Sequence, residues 1–192
     1  MRHGLAGLML TAIAAGGVTA HAQSGSSAVR PEDAAIRALI ARGMERSATF
    51  RRLYTGIDAS DVIVYVRFSR CPDGVAACLA WVSAGAGVRR LLITLDKFGG
   101  SPDELTALLA HELQHANEVA SAPEITDQES FRRAFASLGW KHGDGFETEA
   151  AKTATRRVAR ELIRAGRAQV RGQRPSPFER MKTPEKATIH VN

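Results

Sequence analysis

Residues 101–120 read SPDELTALLAHELQHANEVA, and most of what the chain can do is written there. Ser101, with Glu104 three residues on and Pro102 directly after it, has the form of a capping box with proline at the first helical position. A helix is expected from there to about Val119. On it, His111 and His115 stand four residues apart on one face, so both imidazoles can reach a single ion. Glu112 is turned about 100° from His111, which removes it as a third ligand but lets it hold water beside the ion. Glu112 also falls within the apolar stripe of Leu105, Leu108, Leu109, Leu113 and Ala116. An ionised carboxylate there is costly unless a cation or donor compensates it. A metal at the edge of the stripe does so. Neutral imidazole suits Zn2+, which brings the pKa of bound water to about 7, where a carboxylate can take the proton.

Working outward, residues 31–46 have helical apolar spacing behind Pro31, and 48–56 extend that helix or form a short turn. Asp61 to Phe68, DVIVYVRF, alternates with β-branched residues and predicts a strand. Residues 78–84 and 88–95 predict two more, joined at a Gly85–Gly87 turn, as a three-stranded antiparallel meander. Trp81 is expected in the core. Cys71 and Cys78 bracket a Pro72-Asp73-Gly74 turn and are expected as a disulfide clasping a hairpin. Downstream, Thr126 to Glu129 reads as a second capping box, opening a helix through Leu138 that stops at Gly139. Residues 141–145 form a turn. A long helix follows from about Phe146 and ends at Gly166.

The stretch LLAHELQHA resembles the active-site helix of the zincin metallopeptidases. No glycine or third histidine follows in the metzincin spacing, so the similarity is to the gluzincin branch, including its thermolysin-like and small minigluzincin-like members. That resemblance implies a small zincin-like α+β fold, with an active-site helix and two further helices after the sheet. It also implies a third zinc ligand from a glutamate of a later helix, and Glu147 matches it. With Glu147 as the helix start, Ala150, Ala151, Ala154, Val158 and Leu162 cluster round it, whereas Glu149 falls on the polar face with Lys152, Arg156 and Arg160. The family's aspartate, four residues after the glutamate, is replaced by Ala151. The resemblance further implies that Glu112 is the general base. It implies that the strand before the active helix, 88–95, binds extended peptide through its edge. An oxyanion-stabilising group is implied too, with His142 the first candidate and Tyr65 or Tyr54 behind it. Glu118 lies near the histidine face, one turn beyond His115, as a second-layer or solvated residue.

Residues 1–22 read as a secretory signal peptide. Met1-Arg2-His3 is a positive start, 4–18 an apolar core, and Ala20-His21-Ala22 a cleavage site after Ala22. Export is therefore expected, to the periplasm or outside the cell, with no transmembrane helix in the mature chain. Residues 23–30 are expected to be flexible, 31–166 to form one domain, and 167–192 to be a disordered basic tail. The chain carries 26 Lys and Arg against 20 Asp and Glu. Residues 23–163 hold 18 of each sign, so the excess sits in the tail, which argues against a nucleic-acid-binding domain. The tail and the face bearing Arg156, Arg160 and Arg164 can touch acidic envelope surfaces. The function expected is an exported zinc peptidase acting on a peptide or protein substrate. The alternatives are a non-catalytic zincin-fold binding module and a zinc hydrolase of a non-peptide amide.

Overall fold

A computed structural model describes residues 27–172, apart from 99, 143 and 144. The expected signal peptide and the tail beyond 172 therefore lie outside the described residues. Short strand β1 (Val29–Pro31) leads into helices α1 (Ala34–Arg46) and α2 (Ala48–Asp58), followed by strand β2 (Val62–Phe68). Strands β3 (Ala77–Gly85) and β4 (Val88–Leu95) come next. Helices α3 (Pro102–Ala120) and α4 (Gln128–Leu138) precede a hairpin of β5 (Trp140–His142) and β6 (Gly145–Glu147), and α5 (Glu149–Gly172) closes the described chain.

The chain is α+β, but the sheet is not the expected antiparallel meander. Its order is β1-β2-β4-β3, with β1 parallel to β2, β2 parallel to β4, and only β3 antiparallel to β4. After β2 the chain passes over the place later taken by β4, runs down the outer edge as β3, and returns through the Gly85–Gly87 turn into the middle. Burial explains the choice. Leu91, Ile93, Thr94 and Leu95 of β4 are all buried, so this strand belongs at the centre. In β3, Ala80, Val82 and Ala84 are exposed, which suits an edge. The Cys71–Cys78 disulfide forms, with Cα atoms 6.0 Å apart, but it ties this crossing connection rather than a hairpin.

Two further boundaries shift. Pro31 sits in β1, paired with Val66, and α1 is capped by Asp33, whose carboxylate accepts from the Ile36 amide at 2.9 Å. Residues 29 and 30, expected to be flexible, are thus a strand. Ser47 starts α2 as a separate helix by accepting from the Phe50 amide. The corner between α1 and α2 closes because Gly43 has no side chain, since a Cβ there would lie 2.5 Å from the Phe50 ring.

Helix α3 lies on the sheet through Leu105, Leu109, Leu113 and Ala116, all buried with Val64, Leu91 and Ile93 of the strands. Its predicted start is observed with both halves of the capping box on Ser101 and Glu104. At its other end Arg89, 5% exposed, donates to the carbonyls of Val119 and Ala122 at 2.7 Å and of Ala120 at 3.2 Å. The same guanidinium holds Asp61 with bonds of 2.8 and 2.6 Å. Arg89 thus ties the last turn of α3 and the turn after it to the sheet, adding a charged donor to carbonyls at the helix end. Of these, the carbonyls of Val119 and Ala122 also accept the backbone amides of Ala122 and Ile125 at 3.1 Å. Replacing it with Met should cost about 2–4 kcal/mol, because several buried hydrogen bonds to a charged donor are lost together and Asp61 loses its partner. Denaturant unfolding would measure this, and a loss within error would mean water caps the helix instead.

The second capping box is real but displaced by one residue, with Asp127 and Ser130 as the reciprocal pair in place of Thr126 and Glu129. Trp81 is partly buried, packed on Phe131 of α4. Helix α5 packs along α3. It continues through Gly166 to Gly172 and so overruns the expected stop. A glycine inside a helix costs about 1 kcal/mol relative to alanine, which flanking Ala165, Arg167, Ala168 and Gln169 can carry. Residues 167–172 are accordingly helical.

Candidate metal centre

Helix α3 presents His111 and His115 one turn apart, and Glu147 meets them from the end of β6. The two Nε2 atoms are 3.2 Å apart. Oε1 of Glu147 is 3.3 Å from Nε2 of His111 and 3.8 Å from Nε2 of His115. Nitrogen and oxygen donors held about 2.0–2.1 Å from a tetrahedral ion stand roughly 3.3 Å from one another. Two edges of this triangle match that spacing, and the third, from Glu147 to His115, is about 0.5 Å longer. All three side chains are largely buried, at 16%, 6% and 17% exposure.

The outer nitrogens of both imidazoles are engaged. His115 Nδ1 is 2.9 Å from a carboxylate oxygen of Glu118, which can only accept, so the proton belongs on Nδ1. His111 Nδ1 is 2.9 Å from Thr155 Oγ1. That hydroxyl spends its own proton on the Ala151 carbonyl at 3.0 Å and so accepts from the ring. Both Nε2 lone pairs therefore face each other across 3.2 Å, beside a carboxylate. Three electron-rich atoms converging in this way fit a cation, and pinned Nδ1 atoms are how metal-binding histidines are commonly fixed.

Burial sets the ionisation. It pushes Glu112, 4% exposed, up to about 7; the charge of His115 lowers it and that of Glu147 raises it. Burial, reinforced by the charges of His115 and Lys152, brings His111 down to about 4 against the pull of Glu118. For His115 burial again lowers the value, but the Glu118 hydrogen bond and the charges of Glu112, Glu118 and Glu147 outweigh it and raise the net. Burial raises Glu118, yet its bonds to His115, Thr148 and Gln114 leave it lowered, hence ionised. A divalent ion at the triangle adds the positive charge that Glu112 needs.

Glu147 is the expected ligand residue on an unexpected element. It is the last residue of β6, and Thr148 caps α5 by accepting from the Ala151 amide at 3.2 Å. The Thr148 hydroxyl also donates to Glu118 at 2.8 Å, so the start of α5 is tied to the residue that orients His115. Gly139 makes the approach of β6 possible: a Cβ on it would lie 2.0 Å from the Glu147 carbonyl oxygen. Its φ of −131° is ordinary extended backbone, so the glycine serves close approach rather than a left-handed stop. Gly139→Ala should therefore displace Glu147 and weaken metal retention about 10–100-fold, the range seen when supporting contacts are lost. Competition with a chromophoric chelator would read this, and unchanged retention would show that the hairpin has room to yield.

Glu118 is placed as the second-layer partner of His115. Thr148 and Thr155, seven residues apart and hence on one face of α5, were not singled out from sequence. Thr155, one turn beyond Ala151, is the residue that bonds Nδ1 of His111. Glu149 is exposed and paired with Arg156, away from the donors. Of the three candidate oxyanion groups, Tyr54 is bonded to Ser27 at 2.6 Å and Tyr65 accepts from Arg30 at 3.4 Å. His142 pairs with Gly145 across the β5–β6 hairpin, and its side chain lies outside the described residues. Strand 88–95 has a neighbour on each side, so it offers no free edge and the expected peptide-binding role does not fall to it.

No protein-family model, curated protein or solved structure matches this chain.

Proposed function

We propose that this chain is a zinc-dependent hydrolase of the gluzincin type, a zincin-like peptidase, with His111, His115 and Glu147 as ligands and Glu112 as general base. The observation that carries the reading is the convergence of the three donor atoms to within 3.2–3.8 Å of one another with both outer imidazole nitrogens occupied. Zinc, when bound, would supply a Lewis acid that polarises a carbonyl and acidifies water. The chain supplies the rest. Glu118 and Thr155 hold the imidazoles in the tautomer that leaves Nε2 free. Glu112 accepts a proton from water as it attacks the scissile carbonyl, then passes it to the departing nitrogen. A metal site kept only for structure has no use for a buried carboxylate whose ionisation is opposed by its surroundings.

Peptide alignment, expected at 88–95 by resemblance, moves in this reading to β3, the outer antiparallel edge beside α4. A substrate strand there gains main-chain hydrogen bonds. The disulfide supports an exported protein in an oxidising compartment. Among the described residues no helix is long and apolar enough to cross a membrane.

Metal analysis of the purified protein, together with digestion of a peptide library before and after chelation, tests the proposal. The expected result is one zinc per chain and cleavage that chelation removes and zinc restores. Protein without zinc overturns the metal assignment. Zinc-loaded protein that cuts no peptide overturns the peptidase assignment.

A further inference from the structure

We infer that the outer face of α5 is a docking surface for the phosphate headgroups of an anionic lipid bilayer. The inference does not rest on the metal centre. Arg156, Arg157, Arg160, Arg164 and Arg167 are all exposed, and Ile163 among them is 50% exposed. At about 100° per residue these six side chains fall within roughly a 120° arc, along about 16 Å of helix. The opposite side of α5, carrying Ala151, Ala154, Val158 and Leu162, is buried, so the arginine arc points away from the body of the protein.

Three features distinguish this arc from an ordinary solvated face. First, positive charges sit three and four residues apart along it, which costs helix stability where alternating glutamates would add to it. Among the described residues the ion pair found on the arc is Arg156 with Glu149. Glu161, the one acid between Arg156 and Arg167, is turned away to bond Ser47 and Thr49. Second, every basic residue of the arc is arginine, whose planar fork matches phosphate oxygens in pairs. Third, Ile163 offers an apolar tip among the guanidiniums, which a bilayer can accept at its headgroup boundary. No aromatic residue lies on the arc to stack bases, so single-stranded nucleic acid is poorly served.

The experiment is vesicle flotation of the intact protein with phosphatidylcholine vesicles, with and without phosphatidylglycerol, at low and high salt. The expected result is retention on the phosphatidylglycerol vesicles, falling as salt rises. The triple variant Arg160→Gln, Arg164→Gln, Arg167→Gln should partition about a hundredfold less, from the usual contribution of each basic residue near such a surface. Its thermal melt should match that of the wild type, because the replaced side chains are exposed. Ile163→Ser should weaken binding with the charges intact. Wild type and variants are compared as the same processed chain, so differences between them read the arc alone. A triple variant that floats like the wild type overturns the inference, as does equal binding to both vesicle types. Tighter binding to duplex DNA than to vesicles at equal phosphate also overturns it and assigns the arc to a polymeric anion.

Discussion

Glu112→Gln should lower peptide hydrolysis by about 10²–10⁴-fold while leaving metal content unchanged, because the amide cannot accept the proton of the attacking water. The same change should stabilise the metal-free protein, and the sign follows from burial. In the folded chain burial pushes Glu112 up to about 7, from the ordinary glutamate value of 4.5. Its proton is therefore held more tightly folded than unfolded. The neutral form is tolerated at low pH. As pH rises from the unfolded value through the folded one, the folded state must either keep the proton or bury a charge. The accumulated cost above that range is about 3 kcal/mol. Glutamine stays neutral and escapes it. Metal-free Glu112→Gln should thus exceed wild type in stability at pH 8, and the gap should close as pH falls towards 4.5. Denaturant melts across pH, with chelator present, measure the difference. A gap that is flat with pH would show that Glu112 is not the titrating group. Wild-type turnover in the variant would remove it from the mechanism.

The burial of Glu112 also explains why the centre of the candidate site was legible from sequence. Glu112 breaks an apolar stripe that otherwise follows one helical face, and His111 and His115 flank the break. The capping box, the period of the leucines and the anomaly all lie within one helix, where local spacing fixes geometry. The sheet was less readable because its errors concern partners. DVIVYVRF and VRRLLITL announce strands at nearly the observed bounds, yet nothing in their period says that β2 and β4 lie side by side and parallel. The clue that was available is the consecutive apolar run Leu91-Leu92-Ile93, followed after Thr94 by Leu95, which departs from strict alternation and marks a strand covered on both faces. Arg89 went unread for a related reason. Its partners are carbonyls some 30 residues away, and carbonyls leave no trace in a sequence. The tail of α3 is nevertheless held by it, and with it the turn bearing Glu118.

Glu147→Ala should lose zinc readily to a chelator, whereas Glu149→Ala should keep it. Sequence reasoning placed Glu147 on the following helix, whereas the structure has it as the last residue of β6, beside His111 and His115. Running the α5 wheel back to residue 147 places it on the buried side, and the chain leaves the helix at Thr148 without changing that side. The three-residue strands of the β5–β6 hairpin are too short to show a period of their own. The structure separates the two glutamates by more than register. Glu147 has its carboxylate within 3.3 and 3.8 Å of the imidazoles, while Glu149 is exposed and spans a turn to Arg156. A structural zinc site in a small peptide is worth on the order of 10 kcal/mol in total, so loss of one donor in three should weaken binding by at least about a hundredfold. Glu149→Ala removes only an exposed pair, worth under about 1 kcal/mol to the fold, and leaves the donors untouched. Glu147→Gln refines the test, because it keeps the shape of the β6 terminus and removes only the charge. Retention that falls in both Glu147 variants but not in Glu149→Ala assigns the third ligand to Glu147. If Glu149→Ala sheds zinc while Glu147→Ala holds it, the donor triangle is not the metal site, and the assignment of Glu112 beside it falls as well.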